Sequence, residues 1–354
     1  MCPVLTVDLA RVAFTRFTVR PDVRPDVPAG GWTSEERPIG FAATQLVPSW
    51  TARTPPGAWI EVELQARTAA GGLTKWYVMG RWSAHGDPRT SVPGQGDDDG
   101  DVAVDTFVAR RPVVAFRVRV TTHGGAEVGS LGVMASAVPQ RPAVPSPFAA
   151  ADAVELAVPR HSQHAHAGHH PEWDGGGANW CSPASVAMVL AFWGRGPAAD
   201  ELGWVGDDDP GPAVDHAARG TYDRSYQGTG NWPFNVAYAG LFGLDGFVTR
   251  LRSAVELERF VRAGIPMIAS MSFKEHELPG SGYSTGGHIM VVTGFTAEGD
   301  VIVNDPAAPG DAEVRRVYRR AAFENVWLRG SGSGGIVYVL HPPGLTLPPS
   351  NGNW

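Results

Sequence analysis

The sequence predicts an all-β N-terminal half followed by an α+β second half. Apolar and polar residues alternate in short runs before residue 138, which is typical of β-strands. After residue 160, segments of helical periodicity come first and apolar runs of strand length follow. Helices followed by a sheet are typical of an α+β domain.

Three runs in the N-terminal half predict individual strands. Every second residue is apolar in residues 59–66, and the same alternation recurs in residues 116–120 and 131–137. Such runs form antiparallel strands with one buried and one solvated face. We therefore expect residues 1–137 to form a β-sandwich accessory domain.

The tryptophans of this half allow two interpretations. On short strands they are more often core residues, and we favour that interpretation. Exposed tryptophans would instead stack on sugar rings, so docking on a carbohydrate or another surface stays open. The residues concerned are Trp32, Trp50, Trp59, Trp76 and Trp82.

A proline-punctuated stretch separates the halves. Residues 138–159 contain five prolines in an Ala/Val-rich context, and regular structure is not expected because proline lacks a donor and restricts its neighbours. We predict a linker over 138–159, a second domain over 160–345 and a tail over 346–354.

The second half contains two clear helices and four strands. Pro183 opens the first helix, where its missing N–H costs nothing, and Gly194 closes it. A capping box at Ser253 opens the second helix, which ends at Gly264. Strands are predicted at residues 265–272, 288–295, 301–304 and 336–340.

The bulk composition limits the partners. The chain has 354 residues, 43% of them hydrophobic, and a formal net charge of −7, which disfavours nucleic acid and anionic membranes as main partners. No apolar run has the length of a membrane span. The first residues lack the basic and apolar regions of a signal peptide, so we expect a cytoplasmic chain, a trimmed chain or a misplaced start. Two cysteines cannot form a disulfide framework.

Cys181 is the candidate nucleophile. It follows three glycines and Trp180, where a loop becomes a helix. Backbone N–H groups and the helix dipole favour an anion there, so a thiolate is stabilised. The alternative for this residue is a buried structural thiol.

His288 and Asp305 are the candidate base and orienting group. His288 begins a predicted strand after two glycines that permit close approach of backbone or substrate. Asp305 follows the next strand, and a turn at residues 297–300 would place the two side by side. A carboxylate fixes the imidazole tautomer and stabilises the imidazolium. Asn304 could orient the imidazole instead, since strand alternation lets only one of the pair point at it.

Residues 160–340 resemble the C39-like cysteine peptidases, a branch of the papain-like fold. The matching segments are residues 161–163, 172–176, 180–185, 230–235, 287–288 and 304–306. The resemblance implies an α+β papain-like domain with Cys181 as nucleophile, His288 as base, Asp305 as orienter and Gln163 as oxyanion donor. Gln163 lies farther before Cys181 than in papain, across an insert rich in His and Gly.

The resemblance implies thiol-dependent cleavage of peptide bonds in a peptide or protein substrate. Some relatives are fused to a transporter and an ATPase, but this chain has neither a membrane span nor a phosphate-binding loop, which predicts a free-standing hydrolase. Amide or acyl transfer, cell-wall peptide cleavage and a non-catalytic binding module are the alternatives. By resemblance we expect an extracellular location, with a cytoplasmic one as the alternative.

No metal or cofactor is predicted. Five histidines lie close together at His161, His164, His166, His169 and His170. Imidazole is a good zinc ligand, but no paired Cys or Glu stands nearby at ligand spacing, so a solvated or substrate-contacting loop is favoured. The acidic runs 97–101 and 207–209 lack the spacing of a calcium loop and are expected to be turns.

Overall fold

The computed structural model describes residues 11–19, 31–138, 146–148, 152–206, 209–329 and 333–354. Within those ranges the chain forms two antiparallel β-sheets, one in each half, and six α-helices, all in the second half. None of the helices is long and apolar enough to cross a membrane.

One eight-stranded sheet fills the N-terminal half. Its strands are β1 (Arg11–Phe17), β2 (Gly31–Thr33), β3 (Arg37–Arg53), β4 (Trp59–Thr68), β5 (Tyr77–Trp82), β6 (Gly100–Ala103), β7 (Thr106–His123) and β8 (Glu127–Ala137). The order is β1-β8-β3-β7-β4-β5, and β2 and β6 also pair with β7. The three predicted strands are confirmed. The sandwich is not confirmed, because hydrogen bonds join all eight strands through the long strands β3 and β7.

Both faces of the central strands are covered, which differs from the predicted solvated face. In β4, Glu63 and Gln65 are buried together with the apolar residues. Glu63 forms a two-point ion pair with Arg119, and Gln65 accepts from Arg117. Hydrogen bonds and ion pairs offset the free-energy cost of burying polar side chains. The polar residues of an alternating run are therefore not necessarily exposed to solvent. Trp50 and Trp82 are fully buried core residues, as favoured, whereas Trp32, Trp59 and Trp76 are only partly buried.

The second half combines helices with a seven-stranded sheet. The helices are α1 (Cys181–Phe192), α2 (Ala199–Leu202), α3 (Pro212–Thr221), α4 (Trp232–Leu241), α5 (Ala254–Arg262) and α6 (Arg320–Leu328). The strands are β9 (Val154–Glu155), β10 (Asp245–Arg250), β11 (Met267–Phe273), β12 (Thr285–Phe295), β13 (Val301–Asn304), β14 (Arg315–Tyr318) and β15 (Ile336–His341). The order is β10-β15-β11-β12-β13-β14, with β9 on β12.

Both predicted helices and all four predicted strands of this half are confirmed within a few residues. Ser253 caps α5 by accepting from Glu256 N–H. Helices α2, α3, α4 and α6 and strands β9, β10 and β14 were not predicted. Helix α4 gave no amphipathic pattern because it is buried on nearly every face.

Parts of the predicted linker and tail pack against the second half. Residues 139–145 and 149–151 of the linker lie outside the described residues. Contrary to expectation, Val154 and Glu155 form strand β9, which pairs with Phe295 and Gly294 of β12. In the tail, Asn353 is fully buried and donates to Arg250 O at 3.0 Å and Glu256 Oε2 at 2.9 Å.

The two halves share one hydrophobic core. Helix α4 packs on β3, with Phe234 against the rings of Trp50 and Trp82 at centroid distances of 6.2 and 5.3 Å. Ser49 Oγ accepts from Val248 N–H of β10 at 3.0 Å. The N-terminal sheet is therefore packed against the elements that carry the candidate site.

Candidate active site

Cys181 is the first residue of α1, as the sequence predicted. Its side chain is half-buried, whereas the rest of the first three turns of the helix is almost entirely buried. The first four N–H groups of a helix have no partner within the helix, so they point with the dipole towards the region of the thiol. This location exposes a sulfur atom at a site that favours negative charge.

His288 and Asp305 come together across the β12–β13 hairpin. Val291 of β12 pairs with Asn304 of β13, so Asp305 just beyond β13 reaches back to His288 near the start of β12. The Nε2 atom of His288 lies 2.8 Å from Oδ1 of Asp305. Cys181 and the imidazole line the same cleft. With Nε2 held by Asp305, Nδ1 is the ring nitrogen left for the sulfur.

Asn304 points the opposite way. Its Nδ2 donates to the carbonyl oxygens of Val158 at 3.2 Å and Pro159 at 3.0 Å. Of the two adjacent residues, Asp305 is therefore the one that contacts the imidazole. Asn304 instead fastens the end of the predicted linker to β13.

Asp305 is a fully buried carboxylate with several donors. Its oxygens accept from Tyr283 Oη at 2.9 and 3.1 Å, from Tyr318 Oη at 2.8 Å and from Ala307 N at 3.0 Å. Arg316 Nε lies 3.9 Å away. Burial alone would raise the pKa of Asp305, but the charge and hydrogen bond of His288, with Tyr318 and Arg316, hold that pKa below its ordinary value.

The pKa of His288 is shifted in the opposite direction. Burial alone would lower it, because a buried imidazolium loses hydration. The charge and hydrogen bond of Asp305, followed by the contact with Cys181, outweigh burial and raise the pKa of His288 above its ordinary value. The arrangement thus favours the charged imidazolium beside the sulfur.

Gln163 is hydrogen-bonded to the segment just before Cys181 and is not among the residues that line the cleft. It begins a short 3₁₀ helix (Gln163–His166) and is 5% exposed. Its Nε2 donates to the carbonyl of Ala178, and its Oε1 is buried without a hydrogen-bond partner. Its backbone N–H donates to Pro306 O at 2.9 Å, so this segment is tied to the residue after Asp305.

A cleft of about 660 Å³ opens over Cys181 and His288. Gly286 and Gly287 line it, and no protein atom lies within 4 Å of the position of an added Cβ at either glycine. Of the two kinds of close approach that the sequence suggested, approach by backbone is wrong for these positions.

The N-terminal half forms one wall of this cleft, which the sequence did not predict. The tip of the β6–β7 hairpin contributes Val104 and Asp105, and β3 contributes Gln45. Asp105 is buried and accepts from Trp232 N–H, at the start of α4, at 2.8 Å. Burial raises the pKa of Asp105 to about 6. No pattern in the N-terminal sequence reveals this wall, because it depends on how the halves pack.

The other residues that sequence reasoning missed are the partners of Asp305. Tyr283, Arg316 and Tyr318 belong to segments without a recognisable motif. Only the register of β13 with β14, in which Val301 faces Tyr318, brings that phenol to the carboxylate.

The expected solvated histidine loop is wrong for His166. Its side chain is 2% exposed and lies 2.7 Å from Asp215 of α3. His164, in contrast, is exposed, as expected.

Sequence comparison places the chain in a class of hydrolases, the peptidases. The model of the Peptidase_C39 like family matches residues 155–334. That is just over half of the chain, and the chain therefore belongs to this family. The model of a Peptidase C39 N-terminal domain matches residues 12–136. None of the curated proteins matches the chain significantly.

Two solved structures share limited similarity with the chain. A C39-like peptidase from Bacillus anthracis is 19% identical, with a TM-score of 0.34 over 53% of this chain and 97% of that one. The structure of infectious bursal disease virus strain Gx is 12% identical, with a TM-score of 0.19 over 36% of this chain and 32% of that one. Similarity this low says nothing about function.

Proposed function

We propose that the protein is a papain-like cysteine peptidase that hydrolyses peptide bonds in the cleft around Cys181. The observation that carries this proposal is the His288–Asp305 hydrogen bond beside a cleft that Cys181 and His288 line together. Membership of a peptidase family supports the reaction type. A thiolate nucleophile, a base and a group that orients the base are the parts that thiol-dependent acyl transfer requires.

In the proposed mechanism the Cys181 thiolate attacks the substrate carbonyl carbon and forms a tetrahedral oxyanion. The imidazolium of His288 protonates the leaving amine, the C–N bond breaks and a thioester remains. Water then attacks the thioester while His288 takes its proton, and the thiolate leaves as the carboxylic acid product is released. Asp305 keeps Nδ1 of His288 directed at the sulfur throughout.

The oxyanion needs donors in place before the reaction. The Cys181 backbone N–H at the helix start is one candidate. Gln163 is the other, because its amide carries two hydrogens and only one is used by Ala178 O. Loss of one such donor costs about 10²–10³-fold in kcat, and this is the effect expected for Q163A.

We further propose that the N-terminal half takes part in substrate binding as one wall of the cleft. The lining by Gln45, Val104 and Asp105 supports this proposal. Substrates would then be bound between two units, here taken as residues 1–137 and 160–345.

The test is hydrolysis of a peptide library by wild type, C181A, H288A and C2S. A thiol-directed activity probe with peptide mapping reports which cysteine reacts. We expect labelling at Cys181 in wild type and C2S, and no peptidase activity in C181A or H288A. Peptidase activity retained by purified C181A would overturn the proposal.

A further inference from the structure

A second cluster of chemically reactive side chains lies outside the cleft. His166, His169, Asp209 and Asp215 each offer one ligand-type atom, and these atoms lie within 4.8 Å of one another. Nδ1 of His166 lies 2.7 Å from Asp215 Oδ2 and 3.7 Å from Asp209 Oδ1. Nδ1 of His169 lies 3.1 Å from Asp209 Oδ2 and 3.2 Å from Asp215 Oδ1.

The cluster is buried and its hydrogen bonding is incomplete. The side chains of His166, Asp209 and Asp215 are 2%, 3% and 0% exposed. His166 Nδ1, Asp209 Oδ2 and Asp215 Oδ2 are buried without a partner in hydrogen-bond geometry. Among the described residues, no Lys or Arg forms an ion pair with either carboxylate. Two buried carboxylates without a cation are strongly unfavourable, so this site requires positive charge.

We propose that these four residues bind a structural Zn²⁺ ion. Zinc takes four ligands in a tetrahedron with bonds of roughly 2.0–2.2 Å to His nitrogen and carboxylate oxygen. The edge of such a tetrahedron is about 3.3 Å, and four ligand atoms within 4.8 Å of one another need only modest side-chain adjustment to reach it. Two imidazoles argue against calcium and magnesium, which prefer oxygen ligands. Two aspartates balance the charge of the ion, so the buried site is neutral.

Close backbone packing creates this arrangement. The N–H of His169 donates to His166 O at 3.0 Å, and the centroids of the two rings lie 5.5 Å apart. An added Cβ at Gly177 would lie 2.1 Å from His166 O, and one at Gly176 would lie 2.8 Å from His169 O. The glycine run before Cys181 is therefore required for the histidines to reach the aspartates. Gly211 N–H donates to Asp209 Oδ1 at 2.8 Å, which orients that carboxylate.

The ion would fasten the insert between Gln163 and Cys181 to helix α3. His166 ends the 3₁₀ helix that Gln163 begins, and Asp215 lies on α3. Trp173 and Trp180 of the insert already pack against Val214 and Ala218 of α3, and the ion would add a second link through His166 and Asp215. The proposed zinc ion stabilises the fold of this segment, so the zinc proposal does not depend on whether the cleft hydrolyses peptides.

The test measures the metal content and thermal stability of the full chain, purified without a histidine tag from zinc-supplemented medium. All variants carry C181A, so the thiol cannot supply a zinc ligand and a failure of the proposed peptidase activity cannot affect the result. We expect one zinc ion per chain by mass spectrometry. A strong chelator should lower Tm, and added ZnCl2 should restore it.

Three variants identify the ligands. D215N is expected to lose the zinc, and H169A, whose side chain is 36% exposed, tests the same site if D215N fails to fold. H164A is the matched control, because His164 is an exposed histidine of the same insert outside the cluster. It should retain one zinc ion. Co²⁺ added to the metal-free chain should give the visible absorption of a tetrahedral site, and this absorption should be absent in H169A.

Two outcomes would overturn the proposal. One is a chain with the wild-type cluster that carries no metal and whose Tm does not respond to Zn²⁺. The positive charge at the site would then come from a source other than a metal ion. The other is H169A and D215N both retaining as much zinc as H164A.

Discussion

Nε2 of His288 lies 2.8 Å from Oδ1 of Asp305, although 17 residues separate them in the chain. The carboxylate also accepts from two phenols, Tyr283 and Tyr318. This network fixes which nitrogen of the imidazole faces Cys181. It also favours a charged imidazolium at His288 and a charged carboxylate at Asp305, although burial alone would disfavour both charges.

D305N is expected to lower the pKa of His288 and to reduce activity. In wild type the Asp305 charge raises the pKa of His288 against burial. The amide leaves burial unopposed by that charge, so the pKa should fall below its ordinary value. The imidazolium form is favoured at low pH, so the alkaline limb of kcat/KM should move to lower pH in the variant. We expect a rate loss of roughly 10²–10⁴-fold, as for other orienting carboxylates.

NMR titration of the His288 ring in both proteins checks this shift directly. A carboxylate introduced at position 304 by N304D should not replace that of Asp305, because the side chain of residue 304 faces the carbonyl oxygens of Val158 and Pro159. An unchanged imidazole pKa in D305N would show that Asp305 does not control the charge of the base.

The His288–Asp305 pair also makes stability depend on pH. A raised folded-state pKa of His288 contributes stability below the unfolded value of about 6.5, and this contribution is lost as pH rises through the folded-state value. The lowered pKa of Asp305 contributes stability above about 3.9, and that contribution is lost as pH falls through its folded-state value. Urea unfolding across pH should show a smaller pH dependence in D305N than in wild type.

Y318F is expected to destabilise the fold by about 1–3 kcal/mol, because it removes a donor from a buried carboxylate. Tyr318 is 1% exposed and donates to Asp305 at 2.8 Å. Urea unfolding measures the loss. Y226F is the control, since Tyr226 is 48% exposed and should leave the free energy of unfolding unchanged. Equal stabilities of Y318F and Y226F would contradict the prediction.

R89A is expected to weaken the packing between the halves. Arg89 is 7% exposed and donates to Arg219 O at 2.6 Å and Tyr222 O at 3.1 Å, at the end of α3. Burial lowers the pKa of Arg89 to about 10, so the group stays charged at neutral pH. Loss of a charged donor to these carbonyls should cost about 1.5–3 kcal/mol.

Thermal unfolding of R89A and R53A separates this role from a general effect of charge. Arg53 pairs with Glu127 on the surface, and both side chains are 67% exposed. Surface pairs of this kind contribute little, so R53A should unfold at the wild-type temperature. If R89A does the same, Arg89 does not hold the halves together.

V104G is expected to raise stability and to change substrate binding. Val104 has a φ of +59° at the hairpin tip in the cleft wall. A β-branched residue is strained there by about 1–3 kcal/mol, and glycine removes that strain at an entropic cost of about 0.5–1 kcal/mol. KM should change while kcat is retained, because Val104 lies on the wall opposite the reacting groups.

V108G is the matched control for this variant. Val108 lines the same cleft but lies within strand β7, so glycine there should destabilise the fold. A V104G variant that is less stable than wild type would contradict the strain argument. An unchanged KM would contradict a role of this wall in substrate binding.

Several parts of the site could be predicted from local sequence because they depend on local structure. Pro183 and Gly194 bracket α1, so the position of Cys181 at a helix start follows from nearby residues alone. The short turn between β12 and β13 makes their pairing local as well, which is why His288 and Asp305 were expected to be neighbours.

Other features depend on contacts between segments far apart in the chain. Strand alternation left Asn304 and Asp305 as alternatives, and only the side on which the linker packs distinguishes them. The histidines of the insert were expected to be solvated because Asp209 and Asp215 lie more than 35 residues beyond them. Pairing of the long strands β3 and β7 with several neighbours joins strands that the sequence suggested would form a sandwich.

The sequence by itself determined the two halves, the principal helices and strands, and the family with its candidate Cys, His and Asp. These features follow from periodicity, capping residues and short turns, which act over a few residues. Tertiary structure alone decided three other features. It buried Gln163, built the cleft wall from the N-terminal half, and brought two histidines to two buried aspartates. Each of these depends on burial and close packing between distant segments, which remove side chains from water and leave their charges to be balanced inside the fold.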